Sequence, residues 1–167
     1  MKIKHIIYKT LVFGALGATS GLASAGVAST TFAVTSNVAS SCTITALPVS
    51  FGSYVPTSAT DTTATGSVSV TCTKNSSVSI ALNAGMGTGA TETARTMSLA
   101  SNTAMTYGLY ADSGYATNWG TTAGAQTTTG TGLSTPVTLV IYGKITKNQY
   151  LVGAGSYADS ITATVTY

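Results

Sequence analysis

Few side chains in this sequence can do chemistry. Beyond the first 25 residues the carboxylates are Asp61, Glu92, Asp112 and Asp159, the cations are Lys74, Arg95, Lys144 and Lys147, and the thiols are Cys42 and Cys72. Two carboxylates about 5 to 9.5 Å apart would suit acid–base hydrolysis of a sugar. Three of the four lie in turn-like contexts, Thr60-Asp61-Thr62, Ala111-Asp112-Ser113-Gly114 and Tyr157-Ala158-Asp159-Ser160. There the simpler role is a solvated turn residue or a local backbone acceptor. Serines abound, but the single histidine, His5, lies in the opening segment, which leaves only Lys144 or Lys147 to activate a hydroxyl. Gly85-Met86-Gly87-Thr88-Gly89 lacks the Lys-Ser/Thr ending and the helix of a phosphate-binding loop, and reads as a hairpin loop. The expectation is a protein that is not an enzyme and uses no cofactor or metal.

Charge placement removes a second class. The formal net charge is +3, but Lys2, Lys4 and Lys9 all fall in the first nine residues. The remaining four cations balance four carboxylates, so no basic footprint for a nucleic acid is left. Trp119 and the nine tyrosines could form a carbohydrate-stacking surface, the alternative of a secreted binding module. Tyr107, Tyr142 and Tyr167 have the parity of core or edge packing, and Trp119 reads as a loop residue that covers the end of the core.

Residues 1–25 read as a secretory signal. The three lysines give the positive start, an apolar stretch runs from Leu11 to Leu22, and Ala23-Ser24-Ala25 is a small-x-small cleavage site. The apolar run is shorter than the ~20 residues that span a bilayer. In an exported chain an even cysteine pair is most simply a disulfide, with two free buried thiols as the alternative.

The elements that position these residues read as strands. Thr supplies 31 of the residues after position 25, and Val, Ile and Tyr are common. β-Branched side chains keep more χ1 freedom on a pleated surface than in a helix. Period-two alternation recurs in Val68, Val70, Cys72; Val78, Ile80, Leu82; Met97, Leu99; Tyr107, Leu109; and Val137, Leu139, Ile141. About seven short strands, each with one apolar face, predict an all-β antiparallel sandwich. The Thr/Gly-rich run from Thr121 to Gly132 reads as a surface loop.

The two ends do not fit a closed sandwich. Ser29 to Ser40 alternates before Cys42 with no turn to fold it back, and the last alternating run, Ile161, Ala163, Val165, Tyr167, has no hairpin partner after it. A strand without its neighbour leaves an apolar groove flanked by unpaired N–H and C=O groups. The spare segment can add itself to the groove of another copy, with main-chain hydrogen bonds for affinity and Phe32, Val34 and Val38 as plugs. At about 3.3 Å per residue, residues 29–38 reach roughly 33 Å. Such a contact is heterologous and need not close, so it generates a filament.

Several stretches carry a family resemblance: Ser41-Cys42-Thr43-Ile44, Phe51-Gly52-Ser53-Tyr54, Gly66-Ser67-Val68-Ser69-Val70-Thr71-Cys72, Tyr107-Gly108-Leu109-Tyr110-Ala111-Asp112, Trp119-Gly120, Tyr142-Gly143-Lys144-Ile145 and the closing run from Gly155 to Tyr167. In order and spacing the sequence resembles the spore coat protein U domain family, which includes shaft subunits of archaic chaperone-usher pili. The resemblance implies an incomplete immunoglobulin-like β-sandwich lacking its last strand, a Cys42–Cys72 disulfide between the first two core strands, and completion by donor-strand exchange. It also implies a periplasmic chaperone, an outer-membrane usher and other pilin subunits as partners, with a route through the periplasm to a surface pilus that serves adhesion and biofilm formation. The expected organisation is a signal at 1–25, a donor strand at 26–40 and a pilin-like domain at 41–167. The donor residues are Phe32, Val34 and Val38, and the acceptor groove is lined by Ile161, Ala163, Val165 and Tyr167. The alternatives are a secreted carbohydrate-binding sandwich or a spore or cell-surface coat protein.

Overall fold

A computed structural model describes residues 25–99, 104–122 and 124–167. The expected signal segment lies outside the described residues except for Ala25. The chain divides into two units, 1–36 and 37–167. In the first unit, residues 25–36 have no regular secondary structure, and Val27, Phe32 and Val34 are exposed.

The second unit is built from strands, with no helix among the described residues. In chain order they are β1 (Cys42–Leu47), β2 (Thr62–Cys72), β3 (Ser77–Leu82), β4 (Arg95–Ser98), β5 (Ala104–Tyr110), β6 (Gln126–Thr129), β7 (Val137–Ile145) and β8 (Ala163–Thr166). They form a five-stranded sheet in the order β1-β2-β7-β5-β4 and a three-stranded sheet in the order β6-β3-β8, with every pairing antiparallel.

Alternation explains the layering. Val68, Val70 and Cys72 of β2, Val78, Ile80 and Leu82 of β3, Met105, Tyr107 and Leu109 of β5, and Ile141 and Ile145 of β7 are buried between the sheets. The alternate positions carry Thr and Ser to the outside, as a sheet with one buried face requires. Each fully buried aliphatic side chain contributes about 1.5 to 3 kcal/mol by leaving water.

Two readings of the sequence need correction. Gln126–Thr129, inside the expected surface loop, is a strand, because Ser77 to Ile80 of β3 offer it a free edge. The Gly85–Gly89 segment is not a hairpin loop, since β3 and β4, which it connects, belong to different sheets. It is a crossover between the layers.

The disulfide joins Cys42 and Cys72. The two are register partners on β1 and β2, so the bridge pins the start of the outermost strand to the core strand beside it. It closes a loop with a separation of 30 residues. Replacing both cysteines by alanine should lower unfolding stability by about 3 to 4 kcal/mol, the chain-entropy value for a loop of this size. Urea unfolding of the oxidised and doubly substituted chains measures the difference.

Candidate functional site: an open groove between β1 and β8

The chain leaves β1 at Leu47 and crosses the inner face of its own sheet. Room for that crossing comes from glycine: a Cβ at Gly143 would come within 2.6 Å of Val49 Cγ1 and 2.7 Å of Phe51 Cζ, and one at Gly66 within 2.7 Å of the Leu47 carbonyl oxygen. Val49, Phe51 and Tyr54 therefore pack against the core, and Phe51 meets Tyr107 edge-on with centroids 6.0 Å apart. Tyr54 ties the segment down by donating to the Thr146 carbonyl oxygen at 3.0 Å and accepting from Gln149 N–H at 3.1 Å.

Opposite this wall runs the approach to β8. Tyr157, Ile161, Ala163 and Val165 are half-buried against the core, while Thr162, Thr164 and Thr166 face out. β8 pairs with β3, Leu82 opposite Ala163 and Ser79 opposite Thr166. Among the described residues β8 has no ladder partner on its other side. Between the two walls lies a groove of about 1200 Å³. Its floor is core: Val68, Leu82, Met105, Tyr107, Leu109 and Ile141 all reach it.

One polar feature interrupts the apolar lining. Tyr107 donates its hydroxyl to Asp159 Oδ2 at 2.6 Å, and Asp159 Oδ1 accepts from the backbone N–H groups of Met86 and Ser160, each at 2.7 Å. Burial, and then the bond to Asp159, push the Tyr107 phenol far above its ordinary pKa, so it stays protonated as the donor. Gly85 sits at φ 88°, and a Cβ there would collide with the Asp159 carboxylate, so the crossover loop requires glycine at this point. Asp159 is thus no solvated turn residue. It fastens the β3–β4 crossover to the groove wall.

Arg95, the first residue of β4, is fully buried. Its guanidinium donates to four backbone carbonyl oxygens: Asn83 at 2.9 Å, Glu92 at 2.7 Å, Leu82 at 3.2 Å and Trp119 at 2.7 Å. Burial lowers its pKa, with Tyr107 and then Glu92 opposing that shift. The Glu92 carboxyl, bonded by Thr121, is held below the usual range. Trp119, expected to cover the end of the core, is inside it, and its indole N–H donates to the Ile80 carbonyl oxygen at 3.0 Å. Trp119 therefore cannot serve a stacking surface.

Among the expected acceptor residues, Ile161 and Ala163 line the groove, Val165 packs against the core, and Tyr167 is 54% exposed. Of the expected donor residues, Phe32 and Val34 lie in the first unit, while Val38 lies in the second, outside any strand and exposed. The wall from Val49 to Tyr54 was not expected as part of the site. Its signal is the spacing of Val49, Phe51 and Tyr54 after β1, apolar residues too bulky for the loop that Pro48 and Gly52 suggest.

This sequence matches the Spore Coat Protein U domain model over residues 28–164. It is also 35% identical over 132 residues to Protein U of Myxococcus xanthus, a match covering 71% of each chain. The chain belongs to the Spore Coat Protein U domain family. Among solved structures, this family member is similar to a chain in the chaperone–tip adhesion subunit pre-assembly complex, CsuC–CsuE, from archaic chaperone-usher Csu pili of Acinetobacter baumannii. The TM-score is 0.56 at 22% identity, over 78% of this chain and 40% of that one. The likeness is one of fold, an immunoglobulin-like antiparallel sandwich, and the family is a structural rather than a catalytic one.

Proposed function

We propose that this Spore Coat Protein U domain protein is a structural pilus subunit completed by a strand from another copy. Residues 26–40 are the donor, and Phe32, Val34 and Val38 enter the groove beside Ile161 and Ala163, in strand addition to the free edge of β8. Val165 and Tyr167 continue that edge, Val165 from the core side and Tyr167 at the rim. The observation that supports this most is the open groove beside a strand that, among the described residues, has a ladder partner on one side only. Left empty, such an edge invites aggregation. A periplasmic chaperone lends a strand first, an outer-membrane usher exchanges it for the next subunit's donor, and the surface fibre serves adhesion and biofilm formation.

Three buried plugs contribute on the order of 2 kcal/mol each. Phe32→Asp replaces the largest of them with a charge that has no partner in an apolar groove. Fibres of this variant should shorten severalfold in electron micrographs while the amount of exported subunit is unchanged. Fibres of ordinary length would remove Phe32 from the donor strand.

A further inference from the structure

The outer face of the five-stranded sheet turns away from both the core and the groove. At one end of it Tyr110 of β5, Tyr142 of β7 and Thr65 of β2 stand in one register row, and Gly108, Lys144 and Thr63 in the next. Tyr142 has the opposite parity to buried Ile141 and Ile145 and lies on a central strand, so it faces outward, contrary to the core or edge packing expected from the sequence. Tyr110 lies back over Gly108: a Cβ there would come within 2.5 Å of its hydroxyl. Glycine at 108 is what lets this ring rest on the sheet.

The turn beyond β5 brings in a third tyrosine. Tyr115 adopts φ 56°, a left-handed region that bulky side chains rarely occupy. Among the described residues the other non-glycine positions with positive φ are Asn75 and Asn148, a type that tolerates it. Asp112 enforces the turn: its carboxylate accepts from Thr117 N–H at 2.7 Å and Ala116 N–H at 3.2 Å, and its carbonyl oxygen accepts from Tyr115 N–H at 3.1 Å. The strain sets Tyr115 perpendicular to Tyr110, with centroids 5.5 Å apart at 87°. Lys144 Nζ lies over both rings, 5.0 Å from the Tyr115 centroid and 5.3 Å from that of Tyr110, so it covers the outer face of Tyr110 and one face of Tyr115. Strain of this kind persists where surrounding structure holds it, and it concentrates at binding sites.

We infer that Tyr115, Tyr142 and Lys144, backed by Tyr110, form a binding site for an acidic polysaccharide, with pyranose faces on the Tyr115 and Tyr142 rings and a uronate carboxylate on Lys144. Amphipathic tyrosine rings suit the C–H faces of sugars. The hydroxyls of Thr63 and Thr65 on the adjacent strand suit sugar hydroxyls, and Lys144 supplies a cation close to them. Cations and carboxylates beyond residue 25 balance, so attraction to a polyanion would have to be local. The site is independent of the groove, and its residues are half-buried on a face that strand addition does not use.

Polygalacturonate and its methyl-esterified form are the probes, since they share a backbone and differ in charge. Affinity electrophoresis should show the full chain binding polygalacturonate at least tenfold more tightly than the ester. Tyr115→Gly keeps the backbone conformation and removes the ring. It should lose binding at least tenfold with a melting temperature equal to or above that of the unsubstituted chain, an outcome no purely structural role of Tyr115 produces. Lys144→Gln should bind both polymers equally. Failure of the unsubstituted chain to bind polygalacturonate, undiminished binding by Tyr115→Gly, or a retained preference for the acid form in Lys144→Gln would each overturn the inference.

Discussion

Replacing Arg95 by alanine should destabilise the domain by about 4 kcal/mol or more, a large part of the 5 to 15 kcal/mol that holds a typical domain folded. The guanidinium is fully buried, and its four bonds go to carbonyl oxygens from three separate stretches: the end of β3 and its exit, the loop before β4, and Trp119 ahead of β6. Each orphaned carbonyl costs about 1 to 3 kcal/mol where water cannot reach it, and the vacated volume adds a cavity term. The costs do not add fully, because the loops relax. Arg95→Lys retains the charge but not the planar fork that spans the four acceptors, so it should fall between the two. Urea unfolding gives the values. A loss below about 1 kcal/mol for the alanine variant would show that solvent reaches these carbonyls.

Deleting residues 26–40 is expected to abolish onward assembly while leaving a subunit that still accepts a strand. The deletion ends before Ser41, whose N–H is bonded by Thr73 Oγ1 at 3.0 Å, and before the Cys42–Cys72 bridge, so the sandwich keeps its first strand. It removes the Ala39 carbonyl oxygen, a weak acceptor for Thr73 Oγ1 at 3.5 Å, and Ser40, whose hydroxyl accepts from Ser76 Oγ at 3.2 Å. These losses are exposed or partly so and cost little next to three buried plugs. Produced together with the full chain, the truncated subunit should act as a terminator, and mean fibre length should fall as its share rises. Truncated chains that polymerise alone would place the donor elsewhere.

Much of the architecture is legible in the sequence because burial on one face leaves a period of two. The alternation in 68–72, 78–82 and 107–109 marks residues the fold buries, and the cysteine pair marks the β1–β2 bridge. β6 is not legible: Gln126-Thr127-Thr128-Thr129 has no apolar face, and its strand character comes from the edge of β3. Arg95 is hidden for a related reason. A lone arginine among threonines looks solvated, and only the convergence of distant carbonyls makes a buried cation tolerable. At the groove, the alternation of Ile161 and Ala163 marks one wall. The opposite wall depends on Gly66 and Gly143 leaving space on the inner face, a relation between positions that no local pattern records.

We propose that the groove beside β8 is filled by residues 26–40 of a different molecule. The most direct measurement mixes two singly substituted chains, Val34→Cys in one and Ala163→Cys in the other, during assembly and scores disulfide-linked pairs on a non-reducing gel. Strand addition between copies gives linked dimers from the mixture. A chain that instead seals its own groove gives no link in the mixture, together with an internal bond when both cysteines sit in one molecule, and that result would rule out strand addition between copies.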